Sequence, residues 1–306
     1  MSIVDPGKCA DYISNWIKDY ATKAGAKSLV LGLSGGIDSA LVALLCQKTR
    51  IPLVCVNMPC HSSPAAFERA SQFAFEKGIN LFKADLSVAY EIISSQFKSD
   101  ISNIYSDNKP AWDDLLTQGS LRSGLRAPTL SYLAHACHGI IMGTGNRSED
   151  HITRYYAKIG DGNVDISPIA DLFKGEVYEL FQFLASQDGA MKPGAKSIYD
   201  ATPSADLWGS DSGQEDEKEL GISYNEVEWA DREDDRTVGI VSNPPGLPRG
   251  IILSDTDPSR NSAWLGYTAR QKEVIAKMWQ MEKITRHKAN PNLPVCEVRK
   301  VPGLVR

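Results

Sequence analysis

Between two apolar runs, Leu29-Val30-Leu31-Gly32-Leu33 and Ala40-Leu41-Val42-Ala43-Leu44-Leu45, the chain reads Ser34-Gly35-Gly36-Ile37-Asp38-Ser39. Apolar run, paired glycines, apolar run: the pattern spells a strand, a tight turn and a helix. Adjacent glycines let the backbone turn sharply and bring its N–H groups against an anion. The helix start behind them adds free donors and the positive end of the helix dipole. Ser34 and Ser39 contribute hydroxyls. Asp38 is an acid where an anion should bind, which makes sense if Mg²⁺ bridges it to a polyphosphate. No Gly-Lys-Ser/Thr follows, so this is not a Walker loop. The plainer reading is a strand-to-helix turn capped by Ser or Asp.

A chain of 306 residues can bury one large core or two small ones. The net charge of −5 comes with no basic block, which argues against a dedicated nucleic-acid partner. No run of 18 apolar residues is present, so no membrane span is expected, and the N-terminus does not read as a signal peptide. Six cysteines without a CxxC pair read as free thiols, and the expected location is the cytoplasm.

Helical spacing of Ala10, Ile13, Trp16, Ile17 and Tyr20 predicts a first helix between Pro6 and Gly25. Strands are predicted at 28–33, 52–58, 79–85 and 139–143, with helices at 39–48, 65–77, 86–97 and 121–138. Residues 99–119 read as a loop. Alternating strands and helices predict an α/β fold, a doubly wound, Rossmann-like parallel sheet flanked by helices. The loops after the first and fourth strands then share the carboxyl edge of the sheet, where ligands bind. The whole chain, 1–306, reads as one domain with its core sheet within 27–187. A loop-rich extension covers 188–306. It includes a helix at 263–286 and an irregular insertion at about 231–261, rich in charge and then in Pro and Gly.

Further motifs follow in order: Gly143-Thr144-Gly145-Asn146-Arg147-Ser148-Glu149, Lys158-Ile159-Gly160-Asp161-Gly162-Asn163-Val164-Asp165, Pro203-Ser204-Ala205-Asp206-Leu207 and Asp216-Glu217-Lys218-Glu219-Leu220-Gly221-Ile222-Ser223-Tyr224. The opening loop resembles the SGGxDS signature of the N-type ATP pyrophosphatases. The whole set, over residues 11–229, resembles ammonia-dependent NAD⁺ synthetase, with patterns near GTxNxSE, KxGDGxxD, PSADL and DExxLGxxY. The resemblance implies an adenine nucleotide alpha-hydrolase-like fold. It also implies amidation of deamido-NAD⁺ by ammonia through an acyl-adenylate, with ATP as co-substrate, Mg²⁺ as cofactor and a homodimeric assembly. It implies that Ser34, Gly35, Gly36, Asp38, Ser39, Thr144, Lys174 and Ser204 bind ATP or its pyrophosphate. Asp38 and Glu149 are the implied catalytic metal ligands. Arg122, Arg126, Asn146, Lys158, Asp161, Asp165, Asp206, His287 and Lys288 are the implied contacts to deamido-NAD⁺. Ser204 and Asp206 would lie on a mobile loop closing over the site.

Plainer readings stand beside these. Glu149 could be an acid at a helix N-terminus, Asp161 part of a Gly-Asp-Gly turn, Lys174 a helix-start lysine, and the acids of 211–219 a solvated face. The last reading is preferred for most of those acids. The chain also departs from the family pattern. Asn57 and Ser63 stand where the family often carries Arg and Gln, Gly124 where it carries an Arg, and Ala201-Thr202 where a Lys precedes PSADL. No amidase segment precedes residue 11, so free ammonia, or ammonia from a separate partner, is the expected nitrogen source. The alternatives are a GMP synthetase-like or tRNA-thiolating ATP pyrophosphatase, and a non-catalytic adenine-nucleotide sensor.

Overall fold

The computed structural model describes residues 3–101, 114–207, 213–237, 265–285, 288 and 296–305. In chain order its elements are α1 (Pro6–Lys23), β1 (Ser28–Gly32), α2 (Ile37–Thr49), β2 (Leu53–Asn57), α3 (Pro64–Lys77), β3 (Leu81–Lys83), α4 (Ser87–Ile101), α5 (Leu115–Ala136), β4 (Gly139–Met142), α6 (Lys174–Ala185), α7 (Pro193–Tyr199), α8 (Asp216–Leu220), α9 (Tyr224–Thr237) and α10 (Ala269–Thr285). Local chemistry sets the ends. Asp5 accepts the Lys8 N–H at 2.9 Å and Pro6 occupies the first helical position of α1. Gly78 closes α3 with φ of +65°, a conformation that costs glycine little.

All four strands are parallel, in the order β3-β2-β1-β4. The near-continuous apolar run of β1 suits a strand covered on both faces. On one face, side chains of α1, α2, α3, α6 and α7 join β1 and β2 in the larger core, which includes Ile13, Leu41, Phe73 and Phe181. On the other, Leu130 and Ala134 of α5 pack on Val30, Val56 and Ile141. A third cluster joins Ile152, Phe173, Tyr224, Val227, Val274 and Met278, tying α9 and α10 to the polar segment after β4. The tail returns to the start: Ile3 and Val305 pair in an antiparallel bridge, and the Val4 N–H donates to the Leu304 carbonyl.

The doubly wound sheet is as expected; several boundaries differ. α5 begins at Leu115 rather than 121, because Asp114 caps it by accepting the Thr117 N–H at 3.0 Å. β3 shrinks to three residues at the sheet edge. The extension read as loop-rich from residue 188 holds α7 and α8, and α9 carries regular structure through Thr237 into the segment read as an insertion. The rest of that segment lies outside the described residues. Among the described residues, no helix is long and apolar enough to cross a membrane.

Candidate active site

The chain order reverses between β1 and β4, so their carboxyl ends open a crevice at the sheet's switch point. A cavity of about 420 Å³ lies there, large enough for a nucleotide-sized ligand. The loop after β1 forms one wall. Gly35 has φ of +91°, and a Cβ placed on it would stand 2.2 Å from the Ala66 carbonyl oxygen of α3. Only glycine fits both demands. The Ser34 and Ser39 hydroxyls lie 3.0 Å apart, Ser39 donates to the Gly36 carbonyl at 3.0 Å, and the Gly36 N–H donates to Ser34 Oγ at 3.2 Å. Arg69 Nε donates to the Gly35 carbonyl at 3.2 Å from behind.

Asp38, on the first turn of α2, meets the loop after β4. Asn146 donates through Nδ2 to Asp38 Oδ1 at 2.9 Å, and its Oδ1 accepts the Glu149 N–H at 3.0 Å, starting a π-helical turn at Arg147–Thr153. Lys174, at the start of α6, places Nζ 2.7 Å from Asp38 Oδ2 and 2.8 Å from Glu149 Oε1. Lys174 is only 4% exposed. Tyr224 donates its hydroxyl to Glu149 Oε1 at 2.7 Å and lies 3.2 Å from Asp216 Oδ2. Burial works against the Lys174 ammonium, yet the two carboxylates hold its proton well above the ordinary lysine range. Two acids share one cation, so the second negative charge is the costly one. Burial pushes the Asp38 carboxyl up. It acts the same way on Glu149, where the Lys174 charge and the hydrogen bonds from Lys174 and Tyr224 outweigh it. The donor set suits a hard divalent cation: two carboxylate oxygens already converge on one positive charge beside the anion-binding loop. Among the described residues, no group of three or more His, Cys, Asp and Glu forms a complete metal cage. Substrate oxygens or water would therefore have to complete the shell.

Residues 202–207 line the cavity and are tied on several sides. Asp206 accepts the Ser63 N–H at 3.0 Å, Asp216 accepts the Ala205 N–H at 3.0 Å, and the Arg122 guanidinium donates to the Leu207 carbonyl at 2.6 Å. Asp206 takes φ of +49°, a strained backbone for a non-glycine residue. Asn57, at the end of β2, is 5% exposed; its amide donates to the Leu33 carbonyl at 2.8 Å.

A family model described as NAD synthase matches residues 9–231. The chain belongs to the NAD synthase family. Within that family, the NH(3)-dependent NAD(+) synthetase of Syntrophomonas wolfei is 34% identical over 250 residues, covering 81% of this chain and 92% of that relative. The Methanosarcina mazei protein of the same description is 36% identical over 220 residues, covering 71% of this chain and 77% of its own length. Among solved structures, NMN synthetase from Francisella tularensis has a TM-score of 0.70 at 25% identity, covering 94% of this chain and 96% of that one. The NH3-dependent NAD synthetase of Campylobacter jejuni, with a TM-score of 0.62 at 18% identity over 93% and 96% of the two chains, shares the fold.

Of the residues that the family resemblance singles out, Ser34, Gly36, Asp38, Ser39, Thr144, Glu149, Lys174 and Ser204 line the cavity together with Arg126, Asp161 and Asp206. Gly35 supports the loop from behind. Five others do not line it. Asn146 is fully buried, with both ends of its amide used between Asp38 and Glu149. Asp165 accepts the Ile141 N–H at 2.7 Å and braces β4. Lys158 is exposed. Arg122 is buried, donating to the Leu207 carbonyl and lying over the Tyr90 ring. Lys288 donates to the Arg154 and Tyr156 carbonyls. In this arrangement Asn146, Asp165, Arg122 and Lys288 spend hydrogen-bonding groups on the framework. His287 lies outside the described residues. The solvated-face reading of the acids in 211–219 suits the exposed Glu217 but not Asp216, which is 5% exposed and whose carboxyl burial pushes up to about 6. Tyr224, Asp216 and Gln214 are site residues that the sequence reading gave no role. The DExxLGxxY spacing was the available signal for the first two.

Proposed function

We propose that this chain catalyses ATP-dependent amidation of deamido-NAD⁺ by ammonia, giving NAD⁺, AMP and pyrophosphate. One observation carries the reading: Asp38, Lys174 and Glu149 converge beside the glycine loop, at the crevice where β1 and β4 end. A carboxylate is a poor acyl donor because oxide leaves badly, whereas AMP leaves well. The acid's oxygen attacks the α-phosphorus of ATP and expels pyrophosphate. Ammonia then attacks the acyl carbon, loses a proton to solvent, and releases AMP. This sequence needs no enzyme nucleophile. Catalysis rests on alignment and on neutralising charge.

The chain's own groups suit those tasks. The Ser34–Ser39 loop would take the pyrophosphate, with Lys174 as the counter-charge. Asp38 and Glu149 would hold Mg²⁺, which when bound supplies further neutralisation of the leaving pyrophosphate. Arg126, Asp161 and Asp206 would receive the acid substrate, and the 202–207 segment would exclude water from the activated acyl group. A homodimer in the cytoplasm is the proposed state, and light scattering checks the assembly.

The likeness to an NMN synthetase favours a second reading, in which the same amidation acts on the mononucleotide acid. The test incubates the protein with ATP, Mg²⁺ and ammonium, and with deamido-NAD⁺, nicotinate mononucleotide or xanthosine monophosphate in turn. AMP and amide are followed together. Fastest turnover of deamido-NAD⁺ supports the first reading and fastest turnover of the mononucleotide the second. Turnover of xanthosine monophosphate alone, or nucleotide binding without any turnover, overturns both.

A further inference from the structure

The turn that delivers Lys174 is held from a distant part of the chain. Lys174 follows Asp171-Leu172-Phe173, and its Nζ must reach between Asp38 and Glu149. Ser148 Oγ accepts the Lys174 N–H at 3.1 Å and the Leu172 carbonyl accepts the Arg147 N–H at 2.8 Å; three further points tie the turn to Arg299. Asp171 accepts the Arg299 N–H at 2.9 Å and the Arg147 guanidinium at 3.2 Å. The Phe173 ring lies under the Arg299 guanidinium, 4.3 Å from centroid to carbon. The Phe173 N–H donates at 2.9 Å to Glu176 Oε2, the oxygen that also accepts from Arg299 at 2.6 Å. Glu176 is completely buried, so Arg299 is the partner that lets its charge remain there. Arg299 sits in a short 3₁₀ turn, Val298–Lys300, anchored by the fully buried Cys296 and Val298. It lies beyond residues 9–231, the span matched by the family model.

We propose that Arg299 is a positioning residue for Lys174. Through Asp171, Phe173 and Glu176, it fixes the turn that aims the ammonium between the two site carboxylates. The tail, 296–305, is thereby a working part of the pyrophosphate site. The link to catalysis rests on the reading under Proposed function; the link to Lys174 does not.

The test compares Arg299→Lys, Arg299→Met and the double variant Arg299→Met/Glu176→Gln with the wild type. The double variant removes both charges of the pair, leaving no buried Glu176 carboxylate without its partner, and is therefore expected to regain the thermal midpoint that Arg299→Met loses. Two quantities are read: acetylation of Lys174 by acetic anhydride, site by site in a mass spectrometer, and ATP–pyrophosphate exchange in the presence of the acid substrate. Lys174 is expected to label about tenfold faster in the double variant than in the wild type, with the other lysines unchanged. Exchange is expected to fall about tenfold or more, with KM for ammonium unchanged in the overall reaction. Arg299→Lys, which keeps a cation against Glu176, is expected to fall between. Wild-type labelling of Lys174 in every variant that folds overturns the proposal, as does recovery of exchange together with the midpoint in the double variant. Altered labelling without exchange in any protein, the wild type included, sinks the functional reading and leaves the positioning role standing.

Discussion

A methyl group at position 35 would meet the Ala66 carbonyl oxygen at 2.2 Å, on a backbone already at φ of +91°. Gly35→Ala is therefore expected to cost at least about 2 kcal/mol and to abolish turnover. Urea unfolding measures the cost, and a loss within error of zero would refute the argument. Asp216 offers a different test at the same scale. Burial raises its carboxyl from 3.8 to about 6. Between those pH values the folded chain keeps a proton that the unfolded chain has released. Stability therefore falls as pH rises across the window. Asp216→Asn removes the titrating group, so its stability relative to the wild type should climb between pH 4 and pH 6, the interval set by that shift. Unfolding midpoints at several pH values decide the matter, and a flat difference counts against it. The amide also suits the site, since its N–H can donate to the Tyr224 oxygen while Tyr224 still donates to Glu149.

The segment 202–207 lines the cavity and is tied to Ser63, to Arg122 of α5 and to Asp216 of α8. In the proposed amidation this segment would keep water from an activated acyl group, so loosening it should waste ATP. Asp206→Ala removes the contact to the Ser63 N–H. The expected outcome is AMP produced in excess of amide, read from parallel assays of the two products; a strict one-to-one ratio would sink the idea. Elements also show what the sequence makes legible. α1, β1, α2 and the strand order's consequence for the two loops followed from apolar runs and glycines. The start of α5 did not, because Gly119 looks like a loop residue. In the fold it faces Leu207, with room for a Cβ no closer than 3.4 Å. The Arg147–Thr153 π-turn left no periodic trace, since its cause is a long-range contact from Asn146 to Asp38. Asp38 and Glu149 were readable as a pair from their motifs. Lys174 as the cation between them was not, because a lysine at a helix start has many ordinary reasons to be there.

At the scale of the molecule, the site is assembled from segments that lie far apart in the chain. The same view bears on the nitrogen source. Releasing ammonia from glutamine by covalent catalysis calls for an activated thiolate or a comparable nucleophile. Among the described residues, no cysteine lines the cavity. Burial raises the thiols of Cys9 and Cys55 to about 12 and raises those of Cys46, Cys60 and Cys296 as well. Ammonium is accordingly expected to support amide formation, and glutamine at equal concentration to give none above background. Equal rates with the two would refute this. Lastly, the bridge between Ile3 and Val305 makes the chain a near-closed ring whose cut is arbitrary. Joining those ends through a short glycine linker and reopening the ring beside Gly189, which sits at φ of +120° with open space around its α-carbon, should give a permuted protein with the same circular dichroism and the same pocket. Ordering of the helices along the sequence would change while every contact around Lys174 stayed the same.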